Sequence, residues 1–130
     1  KMIRWFERHN KLAWTITFII GLMIFYISSL SFQAGAGKGG FGIRAIGYHI
    51  IAFFFFSLFL SIALVKGRNK KFILLAIVIS IIYGISDEIH QYFVPSRVMA
   101  LSDVFLDAFG IILASTMYIF SIEYRNGIKS

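Results

Sequence analysis

Residues 72–95 read FILLAIVISIIYGISDEIHQYFVP, and the way this stretch is divided decides the fold. The first fourteen residues, to Ile85, are almost wholly apolar. At 1.5 Å per residue they reach about 21 Å, short of the roughly 30 Å of hydrocarbon in a bilayer. The run spans a membrane only if SDEIHQYFV continues the same helix to Val94. Pro95 then stops it, because proline lacks an amide donor and clashes with the preceding turn. The polar residues are therefore expected at a membrane-embedded helix end, not in a free loop.

Three further runs are long enough to cross unaided, and the second contains FFFF at 53–56. The 130-residue chain is 58% hydrophobic and 15% charged, against about 25% charged in soluble domains. The sequence predicts an all-α polytopic membrane protein. A single domain over 1–130 would hold a bundle of four transmembrane helices, at about 12–30, 45–65, 72–94 and 103–122. The first run is too long for a signal-peptide core and reads as a retained helix. The absence of Cys excludes disulfides, thiolate metal sites and cysteine nucleophiles. The net charge of +7 falls between the apolar runs, and no nucleic-acid-reading motif is visible.

Ten of the thirteen Lys and Arg lie in the N-terminal segment, the KGRNKK connection at 66–71 and the C-terminal tail. That asymmetry predicts both termini in the cytoplasm of a bacterial cell, with the 31–43 and 94–102 connections outside. RWFERHN at 4–10 reads as an interfacial, topogenic flank. AGAGKGG at 34–40 lacks the spacing of a phosphate loop and reads as a connection.

With that topology the ionisable groups converge. Asp87, His90 and Gln91 are spaced i, i+3, i+4 and are expected on one helix face, with Glu88 about 100° away. Ser102 is the expected N-cap of the last helix. Asp103 and Asp107 follow one turn apart, Asp107 roughly 6 Å deeper. Arg44 opens the second helix with His49 about 7 Å below it. Ser28, Ser29 and Gln33 close the first. A charge in the bilayer costs at least about 2–3 kcal/mol unless paired or wet, so several at one depth point to a polar pocket beneath the outer surface. Plainer roles exist for each: Arg97 snorkelling, Asp103 favouring the helix N-terminus, His49 as an interhelical hydrogen-bond partner, Asp87 and His90 as a structural ion pair.

SDEIHQYFVPSRVMALSDVFLDAFG, at 86–110, resembles the VanZ-like family. That family carries a D-E-x-H-Q-x-F-x-P-x-R segment, followed by a helix start with a serine and two aspartates four apart. The matching residues are Asp87, Glu88, His90, Gln91, Phe93, Pro95, Arg97, Ser102, Asp103 and Asp107. FYISSLSFQAG and IRAIGYHIIAF, with Arg44 and His49, resemble two further family elements. Where family members often have a Glu-Tyr pair after the histidine, this chain has Ala52 and Phe53. The resemblance implies low-level resistance to teicoplanin-type lipoglycopeptides, or a housekeeping role at the envelope. It does not fix a biochemical activity.

Read as an enzyme, the pocket would act on a lipid, a lipid-linked cell-wall precursor or a lipid-tailed antibiotic. Asp87, His90, His49 and Asp107 would supply acid–base chemistry. Arg44, Glu88, Gln91, Arg97, Asp103, Ser28 and Gln33 would bind the head group. Read as a binder, the same pocket would sequester the amphiphile without turnover. A transporter is disfavoured by four short helices without a repeat. No cofactor is identified and no metal ligand set is assigned, although the acids and histidines would accept a single divalent ion.

Overall fold

The computed structural model describes residues 1–31 and 43–128. The described residues form helices α1 (Met2–Arg8), α2 (Asn10–Ser29), α3 (Ile43–Val65), α4 (Phe72–Tyr92) and α5 (Leu101–Gly127), with no strand among them. Four of these, α2, α3 from Ala45, α4 and α5, are long and apolar enough to cross a membrane. The chain is a multi-pass membrane protein, and its outward-facing surface is apolar: Phe18, Leu74, Phe105 and Phe120 are all at least two-thirds exposed.

Helix α3 runs through the middle and packs on all four others, most extensively on α5. Its buried face holds Phe53, Phe56, Ser57, Leu60, Ser61 and Ile62. Small residues set the helix spacing, as expected where lipid removes the hydrophobic drive between helices. A Cβ on Gly110 would stand 2.4 Å from the Ile50 carbonyl oxygen, so glycine lets the α5 backbone lie directly against α3. Ala13, Ala63, Ala76 and Ala114 are buried between the helices.

The α2 and α3 bounds shift from the sequence reading by one or two residues at Asn10, Ser29 and Ile43, and four further differences bear on the fold. α4 ends at Tyr92, two residues short of Val94. The residue before a proline avoids the helical region, and the chain instead turns through Ser96 at φ 67°. The 21 residues of α4 still reach about 31 Å, so the span requires the polar segment as anticipated. α5 starts at Leu101 with Ala100 as N-cap, not Ser102, and no side chain of its own caps it. α5 also runs five residues past Ile122, to Gly127.

The fourth difference is that the interfacial flank is a separate helix, α1, broken from α2 at His9. Glu7 explains its position. Arg125 donates to both Glu7 carboxylate oxygens, Nη1 at 2.7 Å and Nη2 at 2.8 Å. The Tyr118 hydroxyl donates to Glu7 Oε1 at 2.9 Å and accepts from the Gly67 amide at 3.1 Å. Gly67 sits at φ 67°, and a Cβ there would come 2.7 Å from Glu7 Oε2, so both conformation and space require glycine in the α3–α4 turn. Asn10 donates to the Ala63 carbonyl at 2.6 Å and fixes the start of α2 to the end of α3.

Candidate functional site

At the end of the bundle opposite this basic region, α3, α4 and α5 bring ionisable side chains together in an otherwise apolar interior. His49 on α3 is 4% exposed and lies between two α5 carboxylates. Its Nδ1 donates to Asp107 Oδ1 at 2.9 Å, and its Nε2 lies 3.5 Å from Asp103 Oδ2. The two aspartates are i, i+4, so one helix face presents both to the ring, as the spacing predicted. Asp107 is buried, and its Oδ2 has no hydrogen-bond partner among the described residues. That oxygen faces α4, where a Cβ on Gly84 would be only 3.3 Å away. Gly84 is the small residue that allows this approach.

Glu88 on α4 is fully buried. Its Oε2 accepts from the Ala100 amide at 3.0 Å, and its Oε1 accepts from Gln91 Nε2 at 3.2 Å. Glu88 thus caps α5 from another helix, reproducing the acid-to-N-cap-amide half of a capping box. Gln91 also donates to Asp87 Oδ2 at 2.9 Å. One ligand atom each from His49, Glu88 and Asp103 lies within 4.8 Å of the other two.

This corrects the expected face of α4. The buried stripe is Gly84, Asp87, Glu88 and Gln91. At 100° per residue its centre lies between Asp87 and Glu88, which turns His90 outward, toward α2. His90 Nε2 pairs with Ser29 Oγ at 2.9 Å, and its ring stacks on Phe25 with centroids 4.5 Å apart. The expected Asp87–His90 pairing gives way to an Asp87–Gln91–Glu88 chain.

Arg97 donates from Nε to the Leu30 carbonyl at 3.3 Å and from Nη2 to the Ile27 carbonyl at 3.0 Å. It thereby caps the C-terminal carbonyls of α2, where a cation also meets the negative end of the helix dipole. Ser28 is fully buried, and its hydroxyl lacks a partner among the described residues. Gln33 and the Arg44 side chain lie outside the described residues, as does the 34–40 connection.

Sequence reasoning gives Tyr48 no role in the pocket. Its buried hydroxyl has no partner among the described residues, and the ring meets His49 edge-on at 5.4 Å. Adjacency to His49 was the available signal. It also missed Gly84, whose signal was its place one turn before Asp87 and Glu88.

An apolar cavity of about 370 Å³ is lined by Trp14, Phe18, Leu22, Phe25, Phe56 and Tyr83 among others. Phe25 is the ring on which His90 stacks. Tyr83 donates to the Gly21 carbonyl at 2.6 Å, which closes one wall. A larger cavity of about 610 Å³ lies at the basic end beside Arg4, Arg8, Arg68 and Arg125, and no histidine lines it.

A family model described as VanZ/LLP1 matches residues 3–122. No curated protein and no solved structure matches the chain.

Proposed function

The chain belongs to the VanZ/LLP1 family, and from that premise we propose that it holds an amphiphile of the outer leaflet, with the polar head at His49, Asp103, Asp107 and Glu88. The tail occupies the apolar cavity beside Phe25 and Tyr83. The basic end of the bundle faces the cytoplasm, so the polar end lies just beneath the outer surface. The amphiphile is a lipid-linked cell-wall precursor or a lipid-tailed glycopeptide, and the outcome in a cell is low-level resistance to teicoplanin-type antibiotics.

The observation that carries this reading is an imidazole held between two carboxylates, with Phe53 between that cluster and an apolar cavity: Gly84 adjoins both Asp107 and Phe53, and the Phe53 ring lies 6.2 Å from Tyr83 in the cavity wall. Head and tail of one molecule can be served at once. A hydrophilic solute would use only the first. Asp107 orients the ring, so His49 is the group suited to move a proton if the bound head is turned over.

The test is susceptibility of a sensitive Gram-positive host expressing the native chain, Asp103→Asn or Glu88→Gln at matched membrane levels. Native protein is expected to raise the inhibitory concentration of teicoplanin and leave vancomycin, which has no lipid tail, unchanged. Both variants are expected to lose the effect. Equal protection against the two drugs, or full protection by both variants, would rule the reading out.

A further inference from the structure

We propose that His49, Glu88 and Asp103 form a binding site for a divalent transition-metal ion such as zinc, with one coordination position left for the head group of the amphiphile. The inference deepens the function just proposed and rests on it only for the identity of that last ligand.

Geometry comes first. The ligand atoms of the three residues lie within 4.8 Å of one another, contributed by three different helices. His49 Nε2 and Asp103 Oδ2 are 3.5 Å apart. That exceeds the 2.7–3.2 Å usual for an N–H···O bond. It matches two ligands about 2.1 Å from a common tetrahedral ion, which stand about 3.4 Å apart. The three ligand atoms lie within 4.8 Å, so the widest possible pair has to close by at most about 1.4 Å to reach the same spacing.

The surroundings have the form of a metal site's outer shell. Asp107 accepts from His49 Nδ1, and this bond leaves Nε2 as the lone-pair nitrogen directed at Asp103 and Glu88. A carboxylate behind a histidine is the usual device for orienting a metal-bound imidazole and raising its basicity. Glu88 is itself held by the Ala100 amide and by Gln91, as ligating carboxylates generally are.

Burial of the ring's other partner favours a cation close by. Asp107 is 2% exposed, yet its Oδ2 has no hydrogen-bond partner among the described residues. A carboxylate oxygen desolvated in this way needs positive charge nearby. An imidazole with two carboxylates suits zinc or manganese, and less well magnesium or calcium, which take oxygen ligands alone. Three protein ligands are the number found where a metal keeps a position open for water or substrate.

The full chain, purified in detergent and stripped with a chelator, would be titrated with zinc against a chromophoric competitor, with bound metal counted by mass spectrometry. One zinc per chain is expected. A His9→Ala/His90→Ala variant should keep it, because neither ring faces the site. Glu88→Gln and Asp103→Asn should each weaken binding about tenfold or more. Asp103 is 20% exposed, so its variant decides the matter if Glu88→Gln fails to fold by circular dichroism. Folded native protein that takes up no zinc, or uptake unchanged in both Asp103→Asn and folded Glu88→Gln, would overturn the site. Teicoplanin binding by the same samples reads the proposed function separately. Zinc uptake without teicoplanin binding removes that function and leaves the metal site standing; teicoplanin binding without zinc uptake does the reverse.

Discussion

His49 is the residue on which the polar end depends. It meets two α5 carboxylates at once, and removing the donor to a buried carboxylate leaves that group unsatisfied, which typically costs about 1–3 kcal/mol or more. His49→Ala is expected to lower stability by that order, measured by denaturant or thermal unfolding in micelles; a change near zero would mean the carboxylates are held some other way. Arg97 makes a second prediction. Its forked guanidinium reaches two carbonyls of α2, and a lysine has only a point-like head. Arg97→Lys should therefore cost about 1–2 kcal/mol in the same assay. Much at this scale was readable beforehand. The spacing of Asp103 and Asp107 placed both on one face, and the depth of His49 matched theirs. Glu88 and His90 exchanged roles because spacing alone gives angles between residues, not the direction of the helix's buried centre. That centre is fixed by Gly84, the place where α5 comes close enough to matter.

At the scale of the helices, the close crossing of α3 and α5 gives the sharpest expectation. Any side chain at Gly110 meets the Ile50 carbonyl and the Phe54 amide nitrogen, both backbone atoms that cannot rotate away. Gly110→Ala should be destabilising by about 1–3 kcal/mol through overpacking, and Gly110→Leu should fail to reach the folded state. Unfolding of the purified Ala variant checks the first, and yield of monodisperse protein checks the second. Apolar run length was sufficient to find three of the four spans, and the fourth followed from continuing its short run through the polar segment, because a membrane imposes a length that a soluble core does not. The helix ends were less legible. The start of α5 is capped through the Ala100 amide by Glu88, a residue twelve positions earlier on another helix. A local search for Ser, Thr, Asp or Asn at the N-cap finds Ser102 instead, since no sequence rule sees a cap supplied in space. The break between α1 and α2 is hidden for a similar reason: its cause is Glu7 meeting Arg125 across the fold.

For the molecule as a whole, the joint of Glu7, Tyr118, Gly67 and Arg125 holds the basic end together as the His49 cluster holds the other. Burial alone would push the Glu7 carboxyl up. Hydrogen bonds from Arg125 and Tyr118, with the charges of Arg125 and Arg4, more than offset this and hold it below the ordinary 4.5. A carboxyl depressed on folding adds stability that is present above its ordinary value and lost as pH falls through its folded one. Native protein should thus lose more stability than Glu7→Gln between neutral pH and about pH 3. At neutral pH the variant should be the less stable of the two. Melting curves of both proteins across that range give the comparison, and parallel curves would mean the joint contributes no acid dependence. The same joint also sets an order of events. Arg125 lies 118 positions after Glu7, and Tyr118 lies 111 after it. While the chain is being made, Glu7 on α1 waits without these partners until the last span has left the ribosome. A product cut off before Tyr118 keeps three spans and a loose N-terminal segment, the kind of segment proteases take first. Finished and unfinished copies thereby differ at the start of the chain, although the defect lies at its end.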